Sequence, residues 1–157
     1  MVVQDVSSPE GQSPVVTLSP KGDDRIVPIY IGPNEALAIR LRLARRSPPR
    51  PLTQDLLESV IQALGAKVTE VRIEDLRENT YIGRVYLAQG TKKMDLDARS
   101  SDAIALALGT HAPIYCSRHV VERAAVRDIR EREEEEGPPT VPHRRRDAPP
   151  PDAPQGI

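Results

Sequence analysis

Four charged residues fall within eight positions in the stretch MDLDARSSDAIALAL: Asp95, Asp97, Arg99 and Asp102. Alternation along a strand puts Asp95 and Asp97 on one face, with Met94, Leu96 and Ala98 on the other. Two carboxylates so spaced could share a hard cation such as Mg²⁺ or Mn²⁺, which takes oxygen ligands. Asp102 opens the helix that follows, where backbone N–H groups and the helix dipole favour negative charge. Arg99 would face a phosphoryl oxygen. The same residues also admit a purely structural account. Ser100 or Ser101 is a good N-cap, Asp102 suits a first helical turn, and Arg99 could pair with Asp97 on the surface.

A second cluster lies in RLRLARRSPPRP. Helical spacing puts Arg42, Arg45 and Arg46 on one face, and Arg50 follows a turn. The cluster is either a solvated helix face or a patch gripping phosphates without sequence preference. Glu35, in the first turn of the same helix, is either a dipole-favoured acid or a metal ligand. His111, His119 and His143 have no metal-ligand spacing, and Cys116 sits in an apolar strand without an obvious base.

The elements that must position these residues follow from periodicity. SPVVTLS and RIVPIYIG flank the turn PKGDD as a hairpin, and PNEALAIRLRLARR is a helix opened by Pro33 and closed by SPPRP. TQDLLESVIQALG is the clearest helix. Thr53 is its expected N-cap, Asp55 lies in the first turn, Leu56, Leu57, Val60, Ile61 and Leu64 form its apolar stripe, and Gly65 ends it. Three alternating segments from Ala66 to Ala98 form an antiparallel meander, SSDAIALALG a short buried helix, and APIYCS a last strand. The expected fold is α+β, a largely antiparallel or mixed sheet with about three helices.

Composition sets the bounds. The 157 residues suffice for one domain, and mean hydropathy is −0.45 with 38% hydrophobic residues, so part of the chain is expected not to fold. Aromatic content is 3%, four Tyr without Trp or Phe, which requires an aliphatic core and argues against reading single strands by base stacking. A single cysteine and no run of transmembrane length or signal-peptide pattern fit a reducing, cytoplasmic location away from membranes. From Arg127 the chain carries an acidic run, a basic run and many prolines; residues 118–134 are expected as a solvated helix and the segment from about Gly137 as disordered. Residues 15–125 hold 16 Lys+Arg against 13 Asp+Glu, a mildly basic body.

Taken in order, VPIYIGPNEALAI, PRPLTQDLL, the strand near Tyr81, DLDARSSDAIALAL and APIYCS resemble the bifunctional nuclease (BFN, DUF151) domain family. The likeness spans residues 1–125, leaving 126–157 as a charged, proline-rich tail. It implies an α+β domain that forms homo-oligomers and cleaves both DNA and RNA with little sequence preference. Carried over by position, it marks Glu35, Arg50, Thr53, Asp55, Asp95, Asp97, Arg99, Ser101 and Asp102. Two positions depart from the family pattern: Gln54 stands where the family usually has His, and Ser100-Ser101 where it has Pro-Ser. An amide neither titrates near neutral pH nor readily binds a metal. The readings that follow are a metal-assisted nuclease, with Asp97, Arg99, Asp102 and Asp55 catalytic, Arg42, Arg46, Arg50, Thr53 and Ser101 on substrate and Asp95, Asp97 and Glu35 on metal, or a non-catalytic oligomeric interaction module of the same fold.

Overall fold

The computed structural model describes residues 1–127 and is α+β. Its elements run β1 (Val2–Ser7), β2 (Val15–Ser19), β3 (Arg25–Tyr30), α1 (Pro33–Leu43), α2 (Thr53–Ala63), β4 (Lys67–Arg77), β5 (Thr80–Gln89), β6 (Lys92–Arg99), α3 (Ser100–Thr110), β7 (Ile114–Cys116), α4 (Arg118–Ala124) and β8 (Val126–Arg127). Two four-stranded sheets form, in the orders β1-β2-β3-β8 and β6-β5-β4-β7. The first is antiparallel throughout, whereas in the second β7 runs parallel to β4 after the α3 crossover. The meander closes through a two-residue turn at Glu78 and Asn79, both at positive φ, whose twist suits a tight hairpin.

Helix α3 occupies the centre, against α1, α2, β4, β5 and β6. Its sequence has almost no polar face, and Ala103 to Ala107 are all buried. Burying Ile104 and Leu106 contributes about 1.5–3 kcal/mol each. The core around them is aliphatic, with Val71, Ile73 and Val85 from the meander and Val16, Leu18, Val27, Ile29 and Ile39 from the first sheet and α1. The Tyr81 hydroxyl on β5 donates to the Pro28 carbonyl on β3 at 2.9 Å and ties one sheet to the other.

Several details depart from the sequence expectation. β1 had no counterpart in it, and there are two sheets and four helices among the described residues. The chain after β7 does not continue as a solvated helix: α4 ends at Ala124, Val120 and Val121 are buried, and β8 pairs with β3. The remainder of the expected tail lies outside the described residues. The N-cap of α2 is Leu52 rather than Thr53, and that of α3 is Arg99 rather than a serine; Ser100 and Ser101 are instead buried in the first turn. Helix α1 stops at Leu43 because Arg45 turns left-handed (φ 52°), so Arg45 and Arg46 lie beyond it and not on a helical face with Arg42.

Candidate functional site

The charged stretch sits where β6 turns directly into α3. That junction is packed on Gly83 of β5, whose register partner is Ala98. A Cβ at Gly83 would stand 2.9 Å from the Ala98 carbonyl oxygen, 3.1 Å from that of Arg99 and 3.1 Å from Ser100 Cα. Only glycine lets the two backbones approach so closely, and the approach fixes where Arg99 and Asp102 emerge.

Arg99 then bridges two helices. Its Nε and Nη2 donate to the two carboxylate oxygens of Asp102 at 2.6 and 3.0 Å, and its Nη1 meets Glu35 Oε1 at 2.9 Å. The hydrogen bond to Asp102 raises the guanidinium's pKa, with the Asp102 charge adding to it and Glu35 contributing less. Glu35 folds back over Gly32, whose missing side chain leaves the room. Asp97 makes no ion pair among the described residues. Glu35, Asp97, Arg99 and Ser101 line one cleft of about 580 Å³, together with Tyr30, Tyr81 and the β4–β5 turn. The pairing foreseen between Arg99 and Asp97 does not form; Arg99 turns to Asp102 and Glu35 instead.

Asp95 does not join this cleft. It lies on the outer face of the second sheet, where Arg84 donates to it at 2.7 Å and to Glu74 at 2.8 Å, and Tyr86 donates to Glu74. Arg72 stacks over the Tyr86 ring at 4.9 Å. A cation between Asp95 and Asp97 would have to displace Arg84 from Asp95.

The other candidates gather at the opposite end of α3, roughly 15 Å away for an eleven-residue helix. There Asp55 takes the Leu52 N–H at 2.7 Å, closing the start of α2, and accepts from Arg42 at 2.9 Å. Arg42 also pairs with Glu58, whose carboxylate lies over Gly109 of α3. Sequence reasoning missed Glu58, although it stands one helical turn after Asp55. The Arg42 side chain is only 9% exposed, and its Nε is buried without a hydrogen-bond partner. Leaving such a donor unsatisfied costs about 1–3 kcal/mol. Arg42, Arg46 and Asp55 line a second cleft of about 760 Å³, with Arg45, Glu58 and His111. Arg50 and Thr53 flank it, both exposed.

The two clefts differ in charge. Around Arg99, two carboxylates hold one guanidinium and Asp97 stands on the same cleft, so the local charge is net negative. Among the described residues no group of three His, Cys, Asp or Glu side chains converges on a metal position. Asp97 and Glu35 are the carboxylates lining the Arg99 cleft that could serve a Mg²⁺-type ion, which keeps most of its waters and uses one or two carboxylates plus a phosphate. No described helix is long and apolar enough to cross a membrane.

Comparison with known proteins matches residues 16–128 to the bifunctional nuclease domain. The chain is 41% identical over 121 residues to an uncharacterized protein of Mycobacterium tuberculosis (strain H37Rv), covering 77% of this chain and 71% of that one. It is 28% identical over 102 residues to bifunctional nuclease 1 of Oryza sativa subsp. japonica, covering 63% of this chain and 31% of the rice protein. With the domain match running from β2 to just past β8, the chain belongs to the bifunctional nuclease domain family.

Proposed function

We propose that the protein hydrolyses phosphodiester bonds of DNA and RNA with little sequence preference, at the cleft where β6 meets α3. The observation that carries this reading is the convergence of Glu35 of α1 with Asp97 and Arg99 of β6 on one open cleft, where Asp102 of α3 pairs with Arg99. Arg99 is 66% exposed, so its ion pairs are solvent-screened and can be exchanged for a phosphoryl oxygen. It then stabilises the charge that builds on the phosphoryl oxygens as water adds to phosphorus and the ester P–O bond breaks. Asp102 orients the guanidinium, and Asp97 is the carboxylate free to take the attacking water's proton. A Mg²⁺ or Mn²⁺ ion held by Asp97 and Glu35 would supply phosphate neutralisation and a water of lowered pKa. Arg46, Arg50 and Thr53, at the other end of α3, would contact the continuing substrate backbone, which gives binding without base readout, while Ser101 is buried in the first turn of α3 at the cleft. Asp55 acts as a positioning residue through Leu52 and Arg42, and Asp95 through Arg84.

The test is cleavage of single- and double-stranded DNA and RNA by purified protein with Mg²⁺, Mn²⁺ or EDTA, alongside Asp97→Asn. Cleavage falling at least a hundredfold in the variant, with its melting temperature kept, supports the reading; equal turnover in both removes Asp97 from the chemistry.

The second reading, a non-catalytic assembly module, is favoured by α2. Its stripe is largely uncovered: Leu56 is 61% exposed, Leu57 44%, Val60 45% and Leu64 64%, leaving Ile61 as the buried member. We propose that this face is covered by a second copy of the chain, whether or not the cleft is catalytic.

A further inference from the structure

The arginines of the described chain divide into two populations. Arg25, Arg40, Arg42, Arg72, Arg84 and Arg99 all have side-chain partners. Arg77 and Arg123 have partners too, whereas Arg45, Arg46, Arg50, Arg118 and Arg127 have none among the described residues, and the first three lie together in the short connection between α1 and α2. Two of them, Arg45 and Arg46, stand at the cleft by the C-terminal end of α3. That cleft, at about 760 Å³, is the roomier of the two described above, and its size suits a small organic ligand.

Its lining has two characters. Leu41, Leu52, Leu108 and Pro51 supply apolar lining, and Arg45, Arg46 and His111 supply polar and charged lining. Asp55 and Glu58 also line it, and both are paired with Arg42. The Nε of Arg42 is the unsatisfied donor at this place, on a side chain more than nine-tenths buried. Free guanidinium groups beside apolar lining match a ligand with a phosphate at one end and a flat, weakly polar body at the other.

We propose that this cleft binds a nucleotide, its phosphate on Arg45 and Arg46 and its base against the leucine and proline lining. The ligand is either a free mononucleotide or the phosphate-bearing end of a nucleic-acid chain. Its distance from Arg99, the length of α3, makes it a separate site. The inference deepens the nuclease reading by naming what the basic cleft holds, and it survives failure of that reading because binding here requires no hydrolysis.

The experiment is calorimetric titration of the full chain, in EDTA to prevent turnover. The probes are AMP, adenosine, inorganic phosphate, and a tetranucleotide with and without a 5′-phosphate. Three proteins are compared: wild type, the double variant Arg45→Ala/Arg46→Ala, and Arg99→Ala. Both arginines of the double variant are exposed and unpartnered, so its melting temperature should equal that of wild type. The expected result is AMP binding that weakens about tenfold or more in the double variant and is unchanged in Arg99→Ala, with adenosine and phosphate each much weaker than AMP. Tighter binding of the 5′-phosphorylated tetranucleotide than of AMP assigns the site to chain ends, and the reverse assigns it to free nucleotides; either supports it. Loss of binding in Arg99→Ala alone would place the nucleotide in the other cleft and overturn the proposal. So would equal AMP binding by wild type and the double variant, or no binding of AMP or the phosphorylated tetranucleotide at millimolar concentration.

Discussion

Arg99 is held by two carboxylates and still faces water, and that combination decides what its removal should do. Exposed ion pairs contribute only about 0–1 kcal/mol each, so Arg99→Ala should shift the melting temperature little while removing the cleft's cation. A drop of many degrees on differential scanning calorimetry would mean that the residue is structural. Cys116 behaves in the opposite manner. Burial pushes its thiol up to about 11 from its ordinary 9.0. The unfolded chain thus loses this proton at lower pH than the folded one. The resulting stabilisation is complete below about pH 9 and is lost as pH rises through 11. Melting curves of wild type and Cys116→Ala should therefore converge over that window, although Tyr81, also raised by burial, adds a slope common to both. A constant gap between the curves would show the thiol to be solvated. At this scale the sequence was half legible. Spacing identified Asp97, Arg99 and Asp102, but it could not show that Arg99 would choose Glu35, 64 positions away, over its near neighbour Asp97.

Among the elements, the β6–α3 junction is the one whose position matters most to the cleft. It has no side-chain cap, and its place is set by contact with the Gly83 backbone. Gly83→Ala must push the junction away, since the atoms it meets are backbone and cannot rotate aside. Destabilisation of about 1–3 kcal/mol is expected by chemical denaturation, with loss of any Arg99-dependent activity in excess of the fraction unfolded. Unchanged stability would mean that the strands are farther apart than described. The meander and α2 were legible from their apolar periods and α3 from its nearly unbroken apolar run, whereas helix ends were not. Thr53 and the two serines looked like caps by residue type, yet Asp55 closes α2 from inside its first turn and Arg99 takes the position before α3. The run of arginines also continued the helical period past Leu43, where a left-handed Arg45 breaks it.

For the whole molecule, the apolar stripe of α2 is the feature that one copy leaves unresolved. Its period marks it as amphipathic, but the sequence did not show what the stripe packs against. Only Ile61 reaches the core, because α3 and β4 are met by one edge of the helix. Leu57→Glu/Val60→Glu should leave the fold intact and reduce the mass measured by light scattering from an oligomer to a monomer. An unchanged mass would place any self-association elsewhere. Pairing of sheets was equally hidden, since β8 and β1 are short or irregular in pattern and gain their strand character only from their neighbours.

The Tyr81–Pro28 bond has a consequence for how copies of this chain avoid one another. β8 covers β3 only at Arg25 and Ile26, which leaves the rest of that edge exposed to recruitment. Pro28 offers no amide there, and its carbonyl is already taken by a phenol from the other sheet. An incoming strand would thus find neither donor nor acceptor at the midpoint of the open edge. The hydroxyl that joins the two sheets also withholds an acceptor from the edge of the first.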